Sequence, residues 1–200
     1  MPAQEPFPQL VAFDLDYTLW DLWIDTHVTG PLRRNGNAIN QVLDKYGDSI
    51  AFYEDVPQIL HDIRSRSRSS TEERQNGEDR SVTIAACSRT HAPDLANQCL
   101  RLLLVPPSTN NADGGKNAKP CPAIDFFDEL EIYPGSKLKH FKALHERTGI
   151  PYTEMLFFDD EHRNAEVEKL GVTFYHVPRG LTRKMFDEGL KKWRGRRSNN

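Results

Sequence analysis

Cysteine is scarce in this chain: three in 200 residues, Cys87, Cys99 and Cys121, with no metal-ligand spacing among them. That argues against a disulfide-stapled scaffold or a structural zinc site and points to reduced thiols in the cytoplasm. Long apolar runs are also missing. Nothing approaches the ~20 consecutive apolar residues that a membrane span requires, so no membrane partner is expected. The opening MPAQEPFPQL has no basic segment followed by an apolar one, so it does not read as a secretory signal. Nor is there an excess of positive charge. With 26 basic against 29 acidic side chains and a net charge of -3, the chain lacks the footprint of a nucleic-acid binder. No internal repeat is visible. The 38% of hydrophobic residues is enough for a core, and the length suits one domain spanning residues 1–200.

The apolar residues come in short runs that each end on a polar one. Leu10-Val11-Ala12-Phe13 ends at Asp14, Val82 to Cys87 at Ser88, and Met155-Leu156-Phe157-Phe158 at Asp159-Asp160. Continuous runs of this length suit strands buried on both faces, as in a parallel sheet between helices. Helical faces lie between them. One is expected over Ile39, Val42, Leu43 and Tyr46. A second covers Val56, Ile59, Leu60 and Ile63, with Asp55 as N-cap and Pro57 in the first turn. Leu95, Cys99, Leu102 and Leu103 mark a third. Leu138, Phe141 and Leu144 follow Ser136 and stop at Thr148-Gly149. Glu161 to Leu170 ends at Gly171, a last strand covers Val172 to Val177, and Met185, Phe186, Leu190 and Trp193 face a closing helix. This alternation predicts a doubly wound α/β domain with a mostly parallel sheet.

Two stretches break the pattern. Residues 64–80 carry no aliphatic or aromatic side chain, and residues 106–122 are rich in Pro, Gly, Asn and Lys. Neither can bury enough surface to offset its ordering entropy, so both read as flexible insertions. The Arg-Ser alternation in the first would also suit phosphorylation or RNA contact. Residues 191–200 form a basic tail, read as a solvated terminus with a weak nuclear-import alternative.

Ligands in an open parallel sheet bind beyond the carboxyl ends of the strands. Asp14, Ser88, Asp159 and Asp160 all fall on that edge. Carboxylates gathered there would repel one another without a cation, and oxygen ligands of this number suit Mg²⁺. Asp14 and Asp16 lie two apart in the turn after the first strand, so both can face one phosphorus, one attacking and the other moving a proton. Thr18 can hold the turn. The bland reading of any single strand-end Asp is a helix cap; for the assembled set it is weak.

At this point the chain resembles the haloacid dehalogenase (HAD) superfamily, whose first motif is a strand followed by DxDx[TV]. Ser88, Lys137 and Asp159-Asp160 match its other three motifs in order. The closer resemblance is to the magnesium-dependent phosphatase-1 group of acid phosphatases. It is carried by FDLDYTLW (13–20), Trp23, DTHV (25–28), SRT (88–90), IYPGSKLKHF (132–141) and FFDDEHRN (157–164).

The resemblance implies a Rossmann-like HAD fold with little or no cap domain, since Trp20 to Asp55 is too short for one. It also implies a Mg²⁺-dependent phosphomonoesterase with an aspartyl-phosphate intermediate. Asp14 would be the nucleophile and Asp16 the general acid and base. Asp14, the Asp16 carbonyl and Asp160 would hold Mg²⁺, with Asp159 behind them or joined through water. Ser88, Lys137 and the amides of Leu15 and Asp16 would hold the phosphoryl oxygens, while Arg89 and Trp23 match positions that contact substrate. Asn164 stands where many relatives carry another acid. Trp20 and His27 read as core or loop residues, with a substrate role as the alternative. The substrate would be a phosphorylated small molecule or phosphoprotein, with phosphotyrosine and sugar phosphates both open. Two other readings compete. A catalytically silent interaction module should have lost Asp14, Asp16 or Lys137. A receiver-like phosphoacceptor domain should carry its acidic pair on the first strand.

Overall fold

A computed structural model describes residues 5–69, 82–108 and 119–197. The chain opens with β1 (Leu10–Phe13), a one-turn helix α1 (Ile24–His27), and three two-residue strands, β2 (Arg33–Arg34), β3 (Val42–Leu43) and β4 (Ser49–Ile50). Next come α2 (Val56–Ser69), β5 (Thr83–Ser88), α3 (Pro93–Leu102), β6 (Leu104–Val105), β7 (Cys121–Pro122) and β8 (Glu129–Ile132). The rest is α4 (Lys137–Thr148), β9 (Met155–Asp159), a 3₁₀ helix (His162–Leu170), β10 (Thr173–His176) and α5 (Arg183–Arg197).

The main sheet has five parallel strands in the order β10-β9-β1-β5-β8, so the expected doubly wound α/β architecture is present. Strand residues alternate between two cores. Val11, Phe13, Ile84, Ala86, Leu156 and Phe158 pack with α2, α3 and α5. Leu10, Ala12, Ala85, Cys87, Met155 and Phe157 pack with α4 and the 3₁₀ helix. Burial on both faces is the reason these strands read as unbroken apolar runs. β1 lies at the centre, flanked by β5 and β9, and this places Asp14, Ser88 and Asp159-Asp160 side by side at one sheet edge.

The helix expected over Ile39 to Tyr46 does not form. Val42–Leu43 is instead the middle strand of a small antiparallel sheet, and Ile39 and Tyr46 are exposed. Side chains there bond the backbone in competition with a helix. Asp44 Oδ1 accepts from the amides of Tyr46, Gly47 and Asp48 at 2.7, 2.9 and 3.0 Å. Asn40, in the left-handed region at φ 54°, pairs its amide with both backbone groups of Phe52. Nothing between β1 and α2 amounts to a separate cap domain.

Other boundaries also move. The 64–80 stretch begins as the last turns of α2, where Arg64 donates to the Phe126 carbonyl at 2.6 Å and to Asp128 at 2.8 Å. Its remainder lies outside the described residues. The 106–122 stretch ends in β7, which pairs with β6; residues 109–118 also lie outside the described residues. β8 escapes the run pattern because Glu129 and Glu131 interrupt it. It is an edge strand, and Arg147 pairs with both glutamates. Glu161 to Leu170 is a 3₁₀ rather than an α helix, with Gly171 at φ 105° closing it. Asp55 precedes α2 as expected, but its carboxylate accepts from the Arg183 amide at the start of α5 at 2.8 Å.

The basic tail is no solvated terminus as far as Arg197. It forms the last turns of α5, and four of its five cations there are anchored. Lys192 and Arg196 donate to the Phe174 and Val172 carbonyls and to Glu168. Arg194 pairs with Glu5 and Arg197 with Glu154. Among the described residues no helix is long and apolar enough to cross a membrane.

Candidate active site

The turn after β1 is set by Tyr17, a non-glycine residue at φ 52°, which costs roughly 1 kcal/mol for an L residue. The reversal brings the amides of Thr18, Leu19 and Trp20 onto the Leu15 carbonyl at 3.3, 2.8 and 3.3 Å. Leu15 itself is buried, which leaves only its main chain for a ligand. Asp14 and Asp16 then line one cleft of about 380 Å³ together with Ser88, Arg89, Trp23 and Asp160.

Lys137 lies behind this cleft, wholly buried at the start of α4, where Ser136 caps the helix by accepting from the Lys139 amide. Its ammonium reaches Asp14 Oδ1 at 2.6 Å and Asp159 Oδ2 at 3.1 Å and also donates to the Cys87 carbonyl. Burial alone would lower its pKa, but the two carboxylates more than offset that and hold it above the usual lysine range. Lys137 is therefore a fixed positive charge.

The carboxylates differ in their surroundings. Burial pushes Asp14 well up, against the pull of Lys137. Asp16 is raised to about 6 by burial, opposed by hydrogen bonds from Trp20 and the Ile24 amide. The Trp20 indole, fully buried and stacked on Phe52, donates to Asp16 Oδ1 at 2.7 Å. Asp160 is raised to about 7 by burial and by Asp159 and Glu161. Its amide donates to Thr18 Oγ1 at 3.1 Å, which joins the β1 and β9 turns. Asp159 is wholly buried and does not line the cleft. The Glu161 amide, Asn164 and Lys137 occupy its oxygens.

These donors fit a hard divalent cation. Asp14, Asp16, Asp159 and Asp160 gather four carboxyls at one sheet edge, where Lys137 pairs with Asp14 and Asp159, and burial together with neighbouring carboxylates raises Asp14, Asp16 and Asp160. Among the described residues no three His, Cys, Asp or Glu side chains form a metal cage of their own. Mg²⁺ needs none, since it is commonly held by one or two carboxylates and completes its shell with carbonyl, water and phosphate oxygens.

Of the residues singled out from the sequence, Asp14, Asp16, Trp23, Ser88, Arg89 and Asp160 line this cleft. Lys137, Asp159 and Asn164 are buried and bonded to its wall or to one another, and Leu15, Thr18, Trp20 and His27 support it without lining it. Trp23 is 47% exposed on the rim, edge-on to Tyr17 and stacked on His27, whose Nδ1 accepts from the Trp23 amide at 3.1 Å. Sequence reasoning missed Asp25, Thr26, Thr90, His91, Glu161 and Arg163, which also line the cleft. Most sit within DTHV or next to SRT and the acidic pair, so adjacency to a motif was the available signal. Glu161 and Arg163 fall inside the FFDDEHRN segment itself.

Comparison with known proteins gives the family. The family model described as Acid Phosphatase matches residues 6–196. A HAD-like hydrolase superfamily protein of Schizosaccharomyces pombe is 48% identical over 84% of this chain and 84% of its own length. Human Magnesium-dependent phosphatase 1 is 37% identical over 92% of this chain and 86% of its own. A solved phosphatase domain from the N-terminal part of a Bacteroides fragilis protein, complexed with Mg, shares the fold at a TM-score of 0.50 and 16% identity. That match covers 94% of this chain and 40% of the other. The chain therefore belongs to the acid phosphatase family of HAD-like hydrolases.

Proposed function

We propose that this protein is a Mg²⁺-dependent phosphomonoesterase acting through an aspartyl phosphate on Asp14. The observation that carries the reading is the unequal pair of carboxylates in one cleft. Asp14 is tied to the buried Lys137, whereas Asp16 is tied to a neutral indole and raised to about 6. Burial raises both carboxyls, so their partners make the assignment: the Lys137 ammonium pulls Asp14 toward the ionised form a nucleophile needs, whereas Asp16, bonded to a neutral indole, is placed to carry a proton. Asp14 attacks phosphorus in line and the bond to the leaving oxygen breaks as Asp16 gives that oxygen a proton. Asp16, now ionised, takes a proton from water; the water oxygen attacks phosphorus, and the bond to Asp14 breaks. Inorganic phosphate leaves and both carboxyls return to their starting states. Lys137, Ser88 and the turn amides stabilise the equatorial oxygens, where charge gathers in phosphoryl transfer. Asp14, the Asp16 carbonyl and Asp160 would hold Mg²⁺, with Asp159 supporting them from behind. When bound, the ion supplies positive charge that lets an anionic nucleophile approach a phosphate dianion. The name of the human relative and the donor set both support this cofactor.

The substrate is a phosphomonoester admitted by an uncapped cleft with Trp23 and Arg89 on its walls, which suits phosphotyrosine or a sugar phosphate. Phosphate release across phosphopeptides and phosphosugars, with Mg²⁺ and with EDTA, tests the reading. Release that requires Mg²⁺ supports it. Release unaffected by EDTA removes the metal, and no release on any monoester overturns the proposal.

A further inference from the structure

Asn164 is 1% exposed and joins two parts of the site that no backbone element connects. Its Oδ1 accepts from Arg89 at 3.0 Å on the cleft wall. Its Nδ2 donates to both oxygens of Asp159, at 2.9 Å each, and lies 3.3 Å from Glu161 Oε2. The amide orientation follows from chemistry, because the reverse would set the amide oxygen against two carboxylates and the NH₂ against a guanidinium. Asp159 in turn meets Lys137, and Lys137 meets Asp14. A continuous chain therefore runs from Arg89 through Asn164, Asp159 and Lys137 to Asp14.

We propose that Asn164 is a positioning residue with two separable jobs. Its carbonyl oxygen holds Arg89 where it meets the substrate phosphate, and its amide nitrogen fixes Asp159 and so aims Lys137 at Asp14. The proposal rests on the phosphatase reading above. It accounts for a neutral residue at this position. An acid here would face Asp159 and Glu161 as a third carboxylate, whereas an apolar residue would leave a wholly buried Asp159 with fewer donors.

The test separates the two ends, in the full chain with Mg²⁺, by measuring kcat on an aryl phosphate and the Kd of inorganic phosphate by calorimetry. Asn164→Asp keeps an acceptor for Arg89 and loses the donor. It is expected to bind phosphate within about threefold of wild type but to turn over at least ~10-fold more slowly, in line with misplaced catalytic groups. Asn164→Ala and Arg89→Met should each weaken phosphate binding ~10-fold, the value of one lost charge-assisted contact of about 1.4 kcal/mol. The double variant should bind no more weakly than Arg89→Met alone, because both act through one guanidinium. Multiplied effects in the double variant, or Asn164→Asp and Asn164→Ala that match in both Kd and kcat, overturn the proposal. If Asn164→Ala does not fold, Asn164→Asp against Arg89→Met still separates the ends. A wild type that binds phosphate but hydrolyses no monoester sinks the phosphatase reading rather than the tether to Arg89. The Kd comparison then decides that tether alone.

Discussion

Replacing Lys137 by Met keeps the length of the side chain and removes its charge. The wholly buried ammonium lies between Asp14 at 2.6 Å and Asp159 at 3.1 Å and also donates to the Cys87 carbonyl. Removing one partner of a buried ion pair typically costs ~3–5 kcal/mol, because the remaining charge stays buried and unpaired. Here two carboxylates are left, so the upper half of that range applies, equivalent to a fall of roughly 8–20 °C in Tm for a chain of this size. The deficit should depend on pH. With Lys137 gone, Asp14, already raised by burial, loses the charge that pulls it down, so its folded-state pKa climbs further above the unfolded value and folding takes up a proton. Stability of the variant is then greatest below the unfolded carboxyl range and is lost as pH rises through the raised value. The difference from wild type should be largest near pH 7 and shrink toward pH 4. Urea unfolding followed by circular dichroism, without Mg²⁺, measures this at each pH. A loss under ~1 kcal/mol at pH 7, or a deficit that grows on acidification, would refute the assignment of Lys137 as the shared counter-ion.

Three further outcomes follow from single contacts. Trp20→Phe keeps the ring on Phe52 but removes the indole donor to Asp16, whose pKa then climbs further above about 6. The limb of the pH–rate profile set by Asp16 should move up by ~1 pH unit, and an unmoved limb would mean that Asp16 does not govern it. Burial, aided by the charge of Lys137, lowers the His140 pKa from 6.5 to about 4, and among the described residues its Nδ1 has no partner. Folding therefore excludes a proton, and wild type should lose on the order of 2–3 kcal/mol relative to His140→Gln between pH 6.5 and 4. Parallel stability curves would show that His140 is not buried neutral. Within α5, a Cβ at Gly189 would lie 2.5 Å from the Phe158 ring, whereas one at Gly195 meets nothing within 4 Å. Gly189→Ala should cost ~1–3 kcal/mol and Gly195→Ala should stabilise by up to ~1 kcal/mol. Equal effects in thermal unfolding would contradict the packing.

What the sequence showed and what it hid have physical causes. β1, β5 and β9 are buried on both faces, so each reads as an apolar run, and the polar residue ending each run marks the sheet edge where the site forms. α4 announces itself through Ser136 and Gly149, which both cap it. β8 was hidden because an edge strand tolerates Glu129 and Glu131 once Arg147 neutralises them. The Ile39–Tyr46 segment has helical spacing, but Asp44 binds the amides of Tyr46, Gly47 and Asp48 and Asn40 binds the backbone of Phe52 instead. The contacts behind the site were also illegible. That Trp20 reaches Asp16, or that Asn164 links Arg89 to Asp159, depends on side-chain directions that spacing does not reveal.

The most direct test of the account is a single-turnover measurement on Asp16→Asn, which keeps the nucleophile and removes the proton carrier. An aryl phosphate has a good leaving group and hardly needs a proton, whereas an alkyl phosphate does, at a cost of typically ~10²–10⁴-fold when the donor is absent. Phosphoryl transfer in the variant should therefore fall far less for the aryl than for the alkyl ester. Hydrolysis lacks its base, so acid-quenched protein should carry phosphate, and peptide mass spectrometry should find it on Asp14. Equal loss on both esters, or phosphate on any other residue, would contradict the assignment of Asp14 as nucleophile and Asp16 as acid and base.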